Sequence, residues 1–225
     1  MKNENITIPA NYWQHYLQNV YFFCGSACSG KTTMSRAFAT KHGFHWLSED
    51  MLNELYAKLA DPIYQPSFFM QPVPGDIAAW ECHFMRPVEE YSAWLDSNFN
   101  ELLPLALIEA SHLAKEKPVA IDCHLPIGCS VLDVILPNRI VFLVTDPQRA
   151  SQEALRRPDH LGLNSFVESL PHRKEIRQNL ERLYLFTATN YLEFIKNSGR
   201  TYIMRDERST VENTLKLIEQ HFGLL

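Results

Sequence analysis

The sequence predicts an α/β fold in which a five-stranded parallel sheet is covered by helices on both faces. Short apolar runs alternate with longer segments of helical periodicity along the 225 residues. The runs are continuously apolar, which is typical of parallel strands buried on both faces. Hydrophobic residues make up 46% and charged residues 21% of the chain, as in ordinary globular proteins. We therefore expect a single domain over residues 1–225.

Strands and helices are predicted to alternate. The five predicted strands are 20–24, 44–47, 118–123, 139–144 and 201–204. Helices are predicted at 11–18, 31–41, 49–59 after a Ser48 cap, 88–113 with a kink or break at Pro104, from Pro147 onward, 172–196, and after a Ser209 cap to 221. Four prolines predict a loop over 61–75, and residues 156–171 show no regular pattern.

One motif between the first strand and the next helix carries the strongest functional signal. It matches G-x-x-x-x-G-K-[ST] at every fixed position and reads Gly25-Ser26-Ala27-Cys28-Ser29-Gly30-Lys31-Thr32. Glycines let the backbone wrap around a phosphate, and the helix N-terminus adds its positive end. Lys31 would reach the β- and γ-phosphates, Thr32 would bind Mg²⁺, and Thr33 completes the predicted phosphate-binding set.

With this motif, the chain resembles the small P-loop kinases of shikimate-, gluconate- or nucleotide-kinase-like architecture over roughly residues 20–221. The resemblance implies a three-layer P-loop NTPase fold that uses ATP and Mg²⁺. It also implies transfer of the γ-phosphate to a hydroxyl or phosphate of a small-molecule acceptor. A lid would span about 156–173, and an acceptor side would span about 61–115.

The same resemblance assigns roles to acids that follow predicted strands. In the Ser48-Glu49-Asp50 turn it implies Asp50 as the general base, with Glu49 as an alternative; both would also suit a helix N-terminus electrostatically. Asp122 ends the third strand and resembles a Walker B aspartate that supports Mg²⁺. In some relatives an acid at this place contacts substrate, and a structural role is the remaining alternative.

Arginines of the expected lid are the candidates for neutralising charge on the transferring phosphate. Arg156 and Arg157 best match the first lid position, and Arg173 and Arg177 are weaker matches. Each could instead lie on a solvated helix face.

Acceptor binding has less specific candidates. Trp80, His83 and Arg86 lie between the proline-rich loop and the long helix, and His124 follows Asp122 by two residues. Ordinary packing is the alternative for all four, so the sequence leaves the acceptor undefined.

Net charge and composition limit the kinds of partner that we expect the protein to bind. The net charge is -5 with a pI near 6.0, which makes nucleic acid an unexpected partner. No run of eighteen apolar residues and no apolar leader occurs, and the five cysteines form no Cys-x-x-Cys pair. We therefore expect a cytoplasmic protein with free thiols and no membrane partner.

Three alternatives to a small-molecule kinase stay open. A regulatory GTPase would share the phosphate loop, but the chain has no Asn-Lys-x-Asp motif. A nucleotide-binding protein without transfer activity would keep the loop and lose the chemistry. A polynucleotide-end or toxin-like kinase would take a larger acceptor, and the acidic balance weighs against its nucleic-acid form.

Overall fold

The structure is a computed structural model that describes residues 10–156 and 161–225. Within these ranges it describes every side chain except those of residues 10, 50, 53, 54 and 161.

All five strands of the sheet are parallel and lie in the order β2-β3-β1-β4-β5. The strands are β1 (Val20–Gly25), β2 (His45–Ser48), β3 (Val119–Asp122), β4 (Ile140–Thr145) and β5 (Tyr202–Arg205). Because helices cover both faces, this arrangement confirms the predicted α/β fold class. It also puts β1 in the centre, so the loop that follows β1 emerges in the middle of the sheet's carboxyl edge.

Some helices cover the faces of the sheet, and others pack beside it. They are α1 (Ala10–Leu17), α2 (Lys31–His42), α3 (Asn53–Leu59), α4 (Ile77–Phe84), α5 (Val88–Leu113), α6 (Pro147–Ala154), α7 (Leu161–Ser169), α8 (Arg173–Asn197) and α9 (Val211–Phe222). In the described ranges, no helix combines the length and the apolar composition that crossing a membrane requires.

Alternate side chains of β1 belong to different cores. Phe22 packs on one face with Leu107 of α5 and Tyr191 of α8. Phe23 packs on the other face with Phe38 of α2 and Phe222 of α9, with ring centroids 5.2 and 5.6 Å away. This alternation follows from the two-residue period of a strand, and it anchors β1 from both sides.

A third apolar cluster lies beside the sheet, between α4, α5, α7 and α8. Its buried members include Phe84, Tyr91, Leu170, Ile176 and Leu183. The cluster holds the amino-terminal halves of α5 and α8 together, and these helix segments form one wall of the cleft described below.

Two predicted features are wrong. Helix α7 occupies a segment predicted to be irregular, because Leu163, Phe166 and Val167 give it an apolar face that packs on the third cluster. Helix α5 is one continuous helix that contains Pro104, so the predicted division is wrong, and the predicted kink stays a prediction. Pro104 and Asn100 are both exposed, so the carbonyl that loses its helical partner faces water.

Two predicted caps also differ. Residues Glu49–Leu52 form a 3-10 turn after Ser48, and α3 begins only at Asn53. Thr210, not Ser209, caps α9, because its side chain accepts a hydrogen bond from the backbone N–H of Asn213. Ser209 bonds the Asp206 side chain instead, at 3.0 Å.

Candidate active site

The loop between β1 and α2 has the tight backbone that its sequence predicts. Gly25 has a φ of 137°, and a Cβ there would lie 1.7 Å from the carbonyl oxygen of Leu143 on β4. No side chain fits in that space, and few residues adopt that φ. Gly25 therefore lets the chain turn out of the sheet without separating β1 from β4.

Gly30 lets an arginine from the edge strand approach the loop. A Cβ on Gly30, whose φ is 84°, would lie 1.5 Å from Nη1 of Arg205. That nitrogen donates a hydrogen bond of 2.8 Å to the carbonyl oxygen of Ser29. Burial and the nearby charge of Arg149 lower the pKa of Arg205. The guanidinium is thus a partly buried cation held against the loop.

Lys31 lies over the loop. Its Nζ donates to the carbonyl oxygen of Ser26 at 3.0 Å, and Ser29 Oγ donates to the same oxygen at 2.8 Å. The buried hydroxyl of Ser26 has no hydrogen-bond partner among the described residues. The Lys31 ammonium, a hydroxyl without a partner and the α2 N-terminus thus lie at one place, as anion binding requires.

Carboxylates from two neighbouring strands meet at the same edge. Asp122 is buried at the end of β3 and pairs in register with Phe23 of β1 and Ser48 of β2. Glu49 follows β2, and its Oε2 accepts a hydrogen bond of 2.8 Å from the backbone N–H of His124. The side chain of Asp50 lies outside the described part of the structure, so its predicted role stays a prediction.

A cavity of about 410 Å³ joins these groups. Its lining near the sheet includes Ser26, Ala27, Lys31, Thr32, Glu49 and Asp122. From there the cavity continues between α5 and α8, whose side chains line its far wall. The loop between β1 and α2 and both strand-end acids therefore line one space. Thr33 is exposed and does not line it.

His124 separates the acids from the helical wall. Its ring packs on Phe99 of α5 with centroids 4.4 Å apart, and its Nε2 lies 4.0 Å from Oδ1 of Asp96. Burial, helped by the positive charge of Lys31, lowers the pKa of His124 to about 3. The imidazole is therefore neutral at physiological pH and can donate or accept a hydrogen bond in the cavity.

The oxygen donors present suit Mg²⁺ bound together with a phosphate. Thr32 offers a hydroxyl and Asp122 a carboxylate on the same side of the cavity as Lys31. The described residues contain no group of three or more His, Cys, Asp or Glu side chains that could hold a metal alone. Mg²⁺ commonly takes one or two protein oxygens and completes its shell with water and substrate phosphates. These residues therefore fit a metal that arrives with a nucleotide.

The predicted lid arginines that the structure describes, Arg156, Arg173 and Arg177, do not line the cavity. Arg156 is exposed after α6, and Arg157 lies outside the described residues. Arg177 Nη1 lies 2.6 Å from Glu168 of α7, and Arg173 Nε lies 3.9 Å from the same carboxylate. Ion pairs on this exposed surface link α7 to α8. The proposed action of Arg156 and Arg157 on phosphate stays a prediction.

Three acceptor-side candidates form a cluster of their own behind the cavity wall. The guanidinium of Arg86 lies 4.7 Å from the ring centroid of Tyr91 and 4.8 Å from that of Trp94. Its Nη2 also lies 2.8 Å from Nδ1 of His83, and the rings of Trp80 and His83 make an edge contact with centroids 5.4 Å apart. These contacts favour the packing interpretation of Trp80, His83 and Arg86.

Several residues of the site escaped the sequence prediction. Arg205 was not among the predicted site residues. It ends the edge strand β5, and an arginine at the carboxyl end of a strand could have been recognised as a candidate. Asp96, Asn98 and Tyr191 line the cavity from α5 and α8. Their helical spacing marked the faces of those helices, but nothing in the sequence indicated which parts of each face meet across a cleft.

No protein-family model matches the sequence, and no match was found among curated proteins. Among solved structures, shikimate kinase from Acinetobacter baumannii in complex with shikimate has a TM-score of 0.45 and 16% identity, covering 94% of this chain and 96% of that one. An uncharacterized protein from Eubacterium ventriosum has a TM-score of 0.40 and 11% identity, covering 91% and 97%. Similarity at this level carries no information about substrate.

Proposed function

We propose that this protein is a Mg²⁺-dependent phosphotransferase that moves the γ-phosphate of ATP to a hydroxyl of a small-molecule acceptor. The observation that carries the proposal is the shared cavity. The loop that matches the phosphate-binding motif and the strand-end acids Glu49 and Asp122 line it at the sheet, and apolar and polar side chains of α5 and α8 line the rest.

The loop supplies the binding energy for the triphosphate. Backbone N–H groups of residues 25–32 would bind the phosphate oxygens, and Lys31 would exchange its contact with Ser26 for the β- and γ-phosphates. Arg205 adds a second fixed cation beside Ser29. Because these donors are already arranged, little reorganisation accompanies the transfer step.

Thr32 and Asp122 would hold the metal. Bound Mg²⁺ neutralises charge on the phosphates during transfer. Asp122 is rigid because β3 pairs with β1 and β2 on its two sides, so its carboxylate keeps one position relative to the loop.

An acid after β2 would take the proton of the acceptor hydroxyl. Asp50 is the predicted base, and Glu49 is supported by its position in the cavity lining. The backbone N–H of His124 donates to one oxygen of Glu49 and so fixes the carboxylate, which while ionised can accept the hydroxyl proton. Comparing Asp50→Asn with Glu49→Gln separates the two.

The experiment that tests this function is a comparison of Lys31→Ala with Lys216→Ala. Lys31 makes its described contact with a loop carbonyl and not with the core, so its removal should leave the fold intact. Lys216 is exposed on α9, outside the cavity, and is the matched control.

ADP release by the purified protein, with water as a slow acceptor, is the activity to measure, together with urea unfolding. Lys31→Ala should abolish turnover at unchanged stability, and Lys216→Ala should behave as wild type. Wild-type turnover in Lys31→Ala would contradict the proposal. Nucleotide binding without any turnover in the wild type, even with acceptors supplied, would favour the nucleotide-binding protein without transfer activity.

A further inference from the structure

The far end of the cavity is lined by two helices that contribute both apolar and polar side chains. Its apolar part consists of Leu95, Phe99 and Leu102 of α5 and Leu180, Leu183 and Tyr184 of α8, and its polar part includes Ser92, Asp96, Asn98, Thr187 and Asn190. The apolar part binds an apolar group of a ligand by removing its surface from water, and about 25 cal/mol is gained per Å² of apolar area buried.

The charges in this lining are predominantly negative. Lys31 is the one lysine or arginine among the described residues that line the cavity, and it lies at the phosphate loop. Three carboxylates line the same space: Glu49, Asp96 and Asp122. An acceptor carrying its own carboxylate or phosphate would therefore enter beside like charges, with no second cation in the described lining to pair with it.

The nearby positive groups do not change this balance. Arg86 does not line the cavity and packs against the rings of Tyr91 and Trp94. Arg156 is exposed elsewhere.

Uncharged polar groups are nevertheless available in the wall. The hydroxyls of Tyr56 and Tyr191 and the amide nitrogen of Asn98 are buried, and none has a hydrogen-bond partner among the described residues. Tyr56, Tyr191 and Asn98 are 1%, 3% and 7% exposed, respectively. Burial raises the pKa of both tyrosines, so they stay protonated and can donate. Buried donors without partners cost free energy unless a ligand satisfies them.

We propose that the phosphate acceptor is an uncharged alcohol with an apolar part, and that the site discriminates against acceptors bearing a carboxylate or a phosphate. The apolar side chains of α5 and α8 bind the apolar part, Tyr56, Asn98 and Tyr191 hydrogen-bond its neutral polar atoms, and Glu49 and Asp96 repel anions. This inference rests on the proposed function, because it assigns the acceptor of the same site.

The first test uses two probes that differ in charge at one group. Methyl 3-phenyllactate and 3-phenyllactate share the phenyl group and the hydroxyl, but the second carries a carboxylate. Binding of each is measured by thermal shift and calorimetry on the protein saturated with Mg²⁺ and a non-hydrolysable ATP analogue. Shikimate and gluconate serve as polar anionic probes, and 3-phenyl-1-propanol serves as a second neutral probe.

The neutral phenyl probes should bind at least about tenfold more tightly than 3-phenyllactate, shikimate and gluconate, which corresponds to about 1.4 kcal/mol. Equal or tighter binding of an anionic probe would overturn the inference, and so would the failure of both neutral probes to bind. The thermal shift produced by the nucleotide analogue without any acceptor probe is the separate control. If the analogue stabilises wild type but not Lys31→Ala, the proposed function stands whatever the acceptor probes show.

A charge variant provides a second, independent measurement. Asp96→Asn removes one carboxylate from the lining with little change in shape, and Asp133→Asn, exposed outside the cavity, is its matched control. Asp96→Asn should tighten binding of 3-phenyllactate severalfold and leave the methyl ester unchanged, while Asp133→Asn should alter neither. Unchanged 3-phenyllactate binding in Asp96→Asn would contradict the repulsion on which the discrimination depends.

Discussion

Two histidines should make the folded protein sensitive to mild acid. His83 is buried behind the cavity wall, where burial and the charge of Arg86 lower its pKa to about 4. His124 lies in the cavity, where burial and Lys31 lower its pKa to about 3. In the unfolded chain both should titrate near 6.5. The unfolded state therefore binds protons more readily than the folded state as the pH falls.

The sign and size of the effect follow from linkage. Above about pH 6.5 both states are neutral and neither histidine costs stability. Below it, each histidine costs about 1.4 kcal/mol per pH unit until its folded pKa is reached. At pH 5.0 this amounts to about 2 kcal/mol for each, and their ring partners do not overlap, so about 4 kcal/mol is expected in total. That is a large part of a typical stability of about 5–15 kcal/mol.

The measurement is urea unfolding, followed by tryptophan fluorescence, at several pH values from 5.0 to 7.5. Wild type should lose about 4 kcal/mol over this range, and His83→Gln or His124→Gln should each reduce that loss by about 2 kcal/mol. His112→Gln, an exposed histidine near the end of α5, is the matched control for the substitution itself. If the double variant His83→Gln/His124→Gln loses as much stability as wild type, the two rings are not the neutral groups argued above.

The acids and the lid arginine give two further tests. Asp50→Asn should reduce phosphoryl transfer about 10²–10⁴-fold with Mg²⁺-nucleotide affinity nearly unchanged, whereas Asp122→Asn should raise the Mg²⁺ concentration needed for half-maximal activity. A Mg²⁺ titration of the activity of both variants tests these roles, and the opposite pattern would mean that the two roles are reversed. If Glu49→Gln loses phosphoryl transfer and Asp50→Asn does not, Glu49 is the base. Arg156→Ala should lower kcat more than it weakens nucleotide affinity, and an unchanged kcat would remove Arg156 from the site.

Local patterns were sufficient to predict the sheet. The run of residues 20–24 is apolar at every position because both faces of β1 are buried. By contrast, α7 depends on tertiary contacts, since its short apolar face is stable only against the cluster of α4, α5 and α8. The continuity of α5 through Pro104 likewise depends on which face meets water, and periodicity alone did not determine that.

The candidate site likewise has a part that could be predicted from local sequence and a part that depends on tertiary contacts. Gly25, Gly30 and Lys31 belong to one motif, so their position in one loop after β1 could be predicted from sequence. Arg205 joins them from 174 positions after Lys31 in the chain, and only the pairing of β5 with β4 brings it to the loop. Contacts of that kind depend on strand order, which a single sequence does not state.

The two ends of the cavity should therefore have different roles in the proposed reaction. At the sheet, strand pairing fixes Asp122 and the loop relative to each other, and this geometry would serve many acceptors equally well. At the far end, the position of α5 against α8 would decide what can enter, because Phe99 and Leu183 line the same space only when both helices are packed. If the proposed function holds, a substitution at the sheet end should alter turnover for every acceptor, whereas a substitution such as Asp96→Asn should alter the ranking of acceptors. In that proposal, discrimination between acceptors would depend on helix packing, and the reaction type would depend on the motif.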